Sequence, residues 1–202
     1  MNYLVIDTSS KHLIILLSKK GEVFTTYIED CNTDHSTKLM VEVDKMLKEK
    51  GVTLFDMDFF GVVVGPGSFT GIRIGVATVK AFSLAVNKPV LPLTSFDTIA
   101  YNKVDGKFLA VIDAKHDNFY AEGVEDGKIT LAPCFINKER VLELKKEYAL
   151  ISFDDIEGVE KVCPVEGLKK AVLENKEKVT FDMNLVTPLY IRKSQAEENR
   201  WL

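Results

Sequence analysis

Hydrophobic and polar positions along the chain fall into short blocks with sharp borders. Residues 3–6 form an apolar block that stops at the polar turn Asp7-Thr8-Ser9-Ser10. Strands are predicted at 3–6, 12–17 and 23–28, with Lys19-Lys20-Gly21-Glu22 as the turn between the last two, which makes an antiparallel meander. From Asp34, a capping residue, the spacing becomes helical as far as about Lys50, and Gly51 follows as a stop. Leu39, Val43, Met46 and Leu47 make the inward face of that helix, while Lys38, Glu42, Lys45 and Glu49 face water. A strand at 59–64 then runs into Gly65-Pro66-Gly67, followed by a helix over about 70–86, a strand at 89–93 and a short helix at 95–101.

From about Lys107 the pattern starts again. A strand at 108–112 ends at Asp113-Ala114-Lys115, strands follow at 118–124 and 129–132, and Glu125-Asp126-Gly127-Lys128 turns between them. Helices are predicted at 138–146 and 167–174, and strands at 149–153 and 179–181. An Asp-ended strand opening a three-strand meander therefore occurs twice, as a match of pattern without sequence identity. The linker falls near 101–106 and divides the chain into lobes at 1–102 and 103–202, the second the smaller, with a tail able to pack back on the first.

Composition narrows the class. The 202 residues are 46% hydrophobic and 28% charged, enough for one or two small domains with a sizeable core. No apolar run is expected to be long enough to span a bilayer, and Met1-Asn2-Tyr3 enters a strand with no basic segment before it, so neither membrane insertion nor secretion is expected. Cys31, Cys134 and Cys163 are far apart and lack zinc spacing, as suits reduced thiols in a cytoplasmic protein. A net charge of -4 argues against a chain that grips nucleic acid alone, because phosphate neutralisation needs a basic face. A partner subunit could supply that face.

The stretch from Gly65 to Gly75, Gly-Pro-Gly-Ser-Phe-Thr-Gly-Ile-Arg-Ile-Gly, invites a phosphate-site reading, since it joins a strand to a helix. Counting excludes the familiar versions. A P-loop beginning at Gly65 would need glycine at Thr70 and lysine at Gly71; a dinucleotide fingerprint also needs glycine at Thr70. A nucleophile elbow at Ser68 needs glycines at Pro66 and Thr70. Taken alone, the corner is a tight turn capped by Ser68 or Thr70.

The helix after it carries only Arg73 and Lys80 as charges, on one stripe. Ile72, Val76 and Val79 make an apolar face; Gly71, Gly75, Thr78, Phe82 and Ala85 make a second with small residues at i and i+4. A helix apolar nearly all round is buried nearly all round. The first face is expected on the sheet. The second is expected against another subunit, with burial under the second lobe as the alternative.

Catalytic chemistry is sparse. His12, His35 and His116 have no metal-ligand spacing, and His35, beside Ser36 at a helix start, reads as a capping or packing residue. Asp7 and Asp113 end strands where actin-like ATPases hold metal and phosphate, but Thr8-Ser9 and Ala114-Lys115 lack the accompanying glycines. Asp7-Thr8-Ser9 is equally a turn-forming cluster.

These residues together resemble one family. The segment from Gly65 to Gly75, Ile6-Asp7-Thr8-Ser9, His35-Ser36, Lys88-Pro89-Val90 before Thr94-Ser95, Asp113-Ala114-Lys115 with Tyr120, and Thr187-Pro188-Leu189-Tyr190-Ile191-Arg192 are similar to the TsaB (YeaZ) proteins, in order and over most of the chain. Lys115, where that family usually has arginine, and a short second half are departures. The resemblance implies an α/β, actin/Hsp70-like fold of two ribonuclease-H-like lobes with mixed sheets. It implies a non-catalytic subunit in the synthesis of N6-threonylcarbamoyladenosine at position 37 of tRNA, paired with its paralogue TsaD and joined by the ATPase TsaE. ATP or ADP and metal then belong to the partner subunits, tRNA is met only through the complex, and the chain pairs with itself when TsaD is absent. The paralogue's HxxxH metal ligands fall on Ser95 and Ile99, neither of which replaces a histidine.

On this reading the partner contact is carried by Gly71, Gly75, Thr78 and Phe82, with Arg73 at its rim and Met40 on the first helix. Gly75→Leu is then expected to abolish pairing and leave the fold intact. Asp7, Thr8, Ser9 and Asp113 are the remnants of a nucleotide cleft. The competing expectation is a free-standing ATPase or glycoprotease-like hydrolase that uses those residues.

Overall fold

The computed structural model describes residues 1–192 apart from Asn32 and Val104. The tail from Lys193, including Trp201, for which fraying is the default expectation, lies outside the described residues. The chain runs β1 (Tyr3–Asp7), β2 (Leu13–Lys19), β3 (Glu22–Ile28), α1 (His35–Lys50), a 3-10 turn (Leu54–Asp56), β4 (Phe59–Val63), α2 (Phe69–Val86), β5 (Val90–Leu93) and α3 (Ser95–Ala100). It continues with β6 (Lys107–Asp113), β7 (Asn118–Glu125), β8 (Lys128–Asn137), α4 (Lys138–Leu144), β9 (Ala149–Ser152), β10 (Glu160–Lys161) and α5 (Pro164–Asn175).

The strands make two five-stranded sheets with one topology. The first has the order β3-β2-β1-β4-β5; the second, taken from its β8 edge, is β8-β7-β6-β9-β10. In both, the first three strands of the unit pair antiparallel and the later two pair parallel. This is the duplicated ribonuclease-H-like order, so the expected α/β fold class of two mixed-sheet lobes is the one the chain forms.

The units do not follow the boundary expected at 102/103. Met1–Ser95 groups with Lys169–Pro188, and Phe96–Leu168 groups with residues 189–192 among the described residues. The division falls after Ser95, the first residue of α3, because Phe96 and Ile99 are buried with Phe108, Ala110 and Ile112 in the second unit's core. The segment after α5 joins the first unit through Val90 and Thr180, whose backbones exchange two hydrogen bonds of 2.8 Å. The strand expected at 179–181 is only this isolated bridge.

Both long helices end as the sequence predicts and begin slightly differently. Gly51, in the left-handed region at φ 60°, closes α1. Asp34 occupies the N-cap of α1 without a side-chain cap hydrogen bond, and its carboxylate pairs instead with Lys38 Nζ at 3.2 Å. His35 is buried, and its Nε2–H donates to the His12 carbonyl at 3.0 Å, tying the helix start to the start of β2. Ser68 caps α2, its Oγ accepting from Gly71 N at 3.2 Å.

With 18 residues and a mean hydropathy of 1.4, α2 is long and apolar enough to cross a membrane by length and composition alone. That corrects the expectation that nothing reaches this size. Arg73 and Lys80 break the apolar run in the sequence without breaking the helix. Ile72, Val76 and Val79 are buried, and α2 packs on β4, β1 and β5 as a layer of the first unit.

Candidate functional site

The β1–β2 turn and the glycine corner are built into each other. Thr8 Oγ1 donates to the Gly71 carbonyl at 2.7 Å, and Ser68 N donates to the Ser9 carbonyl at 2.7 Å. Ser95 Oγ donates to Ser9 Oγ at 3.0 Å, and Ser95 N donates to the Gly65 carbonyl at 2.8 Å. Ser9 N donates to Asp7 Oδ1 at 2.8 Å, the Asx-type turn expected of an aspartate at a strand end. Asp7, Thr8, Ser9 and Ser95 have no exposed surface.

This arrangement states what the glycines are for. At Gly67 the backbone sits at φ 156°, and a Cβ there would lie 2.0 Å from the Ser9 carbonyl oxygen. A Cβ on Gly71 would lie 2.0 Å from the Thr8 carbonyl oxygen, and one on Gly75 would lie 2.5 Å from Thr8 Oγ1. The glycines make room for the chain's own β1–β2 turn. The expectation that Gly71 and Gly75 open space for a neighbouring helix is therefore corrected, and so is the expectation that Gly75→Leu leaves the fold intact. Phe82 is corrected for the same reason: it is buried, with its ring 5.8 Å from that of Phe60 on β4.

Phosphate does not fit this corner. Ser9 N is engaged by Asp7, and Thr8 and Ser9 are covered by the corner itself. Asp7 Oδ2 is buried without a hydrogen-bond partner among the described residues. No group of three or more His, Cys, Asp or Glu able to hold a metal ion occurs among the described residues.

Asp113, the counterpart in the second unit, has a different setting. Its carboxylate accepts from Lys115 N at 2.8 Å and pairs with Lys115 Nζ at 2.7 Å, while Asp113 N donates to Asp154 Oδ2 at 3.0 Å. The hydrogen bond to Asp113 raises the Lys115 pKa against the opposing effect of partial burial, and the charges of Asp113 and Asp154 add to the rise. Lys115, His116 and Asp117 all have φ between 54° and 66°, a left-handed turn closed by Asn118 N donating to the Lys115 carbonyl.

The outward surface of the first unit lies elsewhere on the same helices. Met40 and Arg73 are exposed and Thr78 is half-buried, so these three of the expected contact residues are on the surface. Exposed apolar groups that the sequence reading missed accompany them: Val41 on α1, Phe55 on the 3-10 turn, and Ala77, Ala81 and Leu84 on α2. Phe55 and Leu84 are 74% and 73% exposed. Both α1 and the 3-10 turn pack on α2, which brings these positions onto neighbouring elements of one unit. Leu84 shares the stripe of Arg73 and Lys80, and an apolar residue on that stripe is the signal that could have found it. Phe55 has no comparable signal. A cleft of about 200 Å³ between β3 and α1, lined by Phe24, Glu42, Lys45 and Lys50 among others, includes none of the corner residues.

Comparison with known proteins adds a family. Residues 22–174 match the family model described as TsaD, tRNA N6-adenosine threonylcarbamoyltransferase. The tRNA threonylcarbamoyladenosine biosynthesis protein TsaB of Bacillus subtilis (strain 168) is 26% identical over 100% of this chain and 98% of its own length. The protein of the same name from Escherichia coli (strain K12) is 28% identical over 75% of this chain and 71% of its own. Among solved structures, YeaZ from Pseudomonas aeruginosa superposes with a TM-score of 0.74 at 22% identity, covering 94% of this chain and 99% of that one. An uncharacterized protein with similarity to peptidase YEAZ from the same organism gives 0.77 at 23% identity, covering 95% and 99%. Those two structures establish a shared fold.

Proposed function

The chain belongs to the TsaB (YeaZ) family, within the group that the TsaD model describes, and on that premise we propose that it is a non-catalytic docking subunit in the synthesis of threonylcarbamoyladenosine on tRNA. The observation that supports this reading is the set of apolar residues exposed on α2 and on the two elements that pack on it, α1 and the 3-10 turn: Met40, Val41, Phe55, Ala81 and Leu84. Soluble proteins rarely leave such groups on adjoining elements without a use.

The occupant of this face is TsaD. The matched span, 22–174, contains α1 and α2 of this chain, so a TsaD protein carries counterparts of both helices. Two related faces can then meet about a pseudo-twofold axis, each offering the same pair of helices. Ala77 and Ala81 let the opposing helix come close, Leu84 and Phe55 fill the space beside them, and Arg73 stands at the rim. In the absence of TsaD a second copy of this chain takes the place. TsaE joins the pair, nucleotide and metal are held by the partners, and tRNA is met through the complex in the cytoplasm. The net charge of -4 suits a subunit that leaves the RNA contact to others.

The experiment is a titration of this chain with the TsaD of the same organism. Ala81→Arg and Leu84→Asp should each weaken binding at least about 30-fold, since central interface positions carry roughly 2 kcal/mol or more. Retention of full affinity by both variants rejects the face. A self-association that Ala81→Arg abolishes, together with no binding to TsaD, makes the second copy the true occupant. A free-standing ATPase or hydrolase gains no support from the corner, where Asp7, Thr8 and Ser9 are enclosed.

A further inference from the structure

The second unit contains a buried carboxylate that docking does not use. Glu122 stands in the middle of β7, in register with Ala110 of β6. On the β8 side the ladder slips at this point: Ala121 pairs with Cys134 and Gly123 with Leu131, so Ala132 and Pro133 together stand opposite Glu122. A bulge of this kind bends the strand that carries the extra residue, here β8, and a proline without an N–H is tolerated at such a broken rung.

The face on which Glu122 lies is apolar. Its partner Ala110, and Tyr120 and Val124 on either side of it along β7, belong to one buried cluster with Phe96, Ile99, Phe108 and Ile112. Glu122 itself is 8% exposed. It makes no hydrogen bond and no ion pair with another described residue. The charge that acts on it from α3 is a second carboxylate, Asp97. From β6 the neighbours Phe108, Ala110 and Ile112 are uncharged; from β7 the only titratable neighbour on this face is Tyr120. Phe135 of β8 packs on the same cluster, and the Arg192 guanidinium lies over its ring at 4.9 Å.

We propose that Glu122 is a proton-holding residue: the second unit folds around its neutral carboxyl group, and ionising that group loosens the packing of α3 on β6 and β7. Burying an unpaired carboxylate among apolar side chains is costly, and the group avoids the cost by staying protonated. Burial, and after it the Asp97 charge, push the carboxyl up from 4.5 to about 7. The folded-state value lies above the unfolded one, so the fold binds the extra proton between these limits. The stability that the neutral group confers is complete below pH 4.5, declines as pH rises toward about 7, and is gone above it.

The test is a carbon-13 titration of the side-chain carboxyl groups in the full chain, with Glu122 assigned through its backbone. A midpoint near 7 is expected; a midpoint in the ordinary glutamate range near 4.5 overturns the proposal. Stability supplies a second readout. Relative to Glu122→Gln, the unfolding equilibrium constant of the native chain should rise by up to roughly tenfold per pH unit between 4.5 and 7 and level off above. A ratio that stays constant across that window also overturns it.

Discussion

The turns after β1 and β6 occupy the same place in two sheets of the same order, and they are closed in opposite ways. After β1, Asp7, Thr8 and Ser9 are fully buried under the glycine corner and the start of α2. After β6, Asp113 is held by Lys115 and Asp154, and three consecutive residues take the left-handed conformation on an exposed hairpin. The difference originates in the segment after the fourth strand of each unit. β4 leads into Gly65-Pro66-Gly67 and an 18-residue helix. β9 leads only through a short loop, with Asp154 at its start, to the two-residue β10. Gene-duplication-like topology therefore does not carry its contents with it: among the described residues, only the first unit has a long helix directly after its fourth strand.

The comparison can be broken at the covered turn, where the largest effect is expected. Gly71→Val puts a branched side chain where a single Cβ already lies 2.0 Å from the Thr8 backbone oxygen. A loss of about 3 kcal/mol or more, or failure to fold, is expected in chemical denaturation. A wild-type midpoint would mean that the turn is not clamped. Thr8→Val keeps the shape and removes the buried hydroxyl that donates to the Gly71 carbonyl. It should cost about 1–2 kcal/mol by the same measurement.

At the exposed turn the sign reverses. His116 at φ 54° carries the penalty of a non-glycine residue in the left-handed region. His116→Gly relieves it, partly offset by the extra freedom of glycine in the unfolded chain, for a net gain of about 0.5 kcal/mol. Destabilisation by His116→Gly would show that the side chain has a structural role that its exposed position hides.

Much of the fold was legible in the residues. The meander, both long helices and the repetition of the Asp-ended strand follow from periodicity and from stops such as Gly51. β10 was missed because two exposed residues carry no period, and β8 was read short because its exposed edge and Pro133 interrupt the pattern. α5 begins earlier than expected, at Pro164, a residue that fits the first turn of a helix although it usually marks a break. The site was harder. Gly71 and Gly75 at i and i+4 announce a close neighbour, but spacing does not say whether that neighbour is another helix or the chain's own backbone. Thr8 filled the space, and the outward face passed to Ala77, Ala81 and Leu84, a quarter-turn or more away.

The central claim is that this outward face, and not the glycine face, meets TsaD. Affinity measured by calorimetry between TsaD and three forms of the chain tests it most directly: wild type, Ala81→Arg, and Lys115→Ala as a control in the second unit. The account predicts tight one-to-one binding for wild type and the control. It predicts at least about 30-fold weaker binding for Ala81→Arg at an unchanged thermal midpoint. Undiminished affinity in a folded Ala81→Arg chain would contradict it.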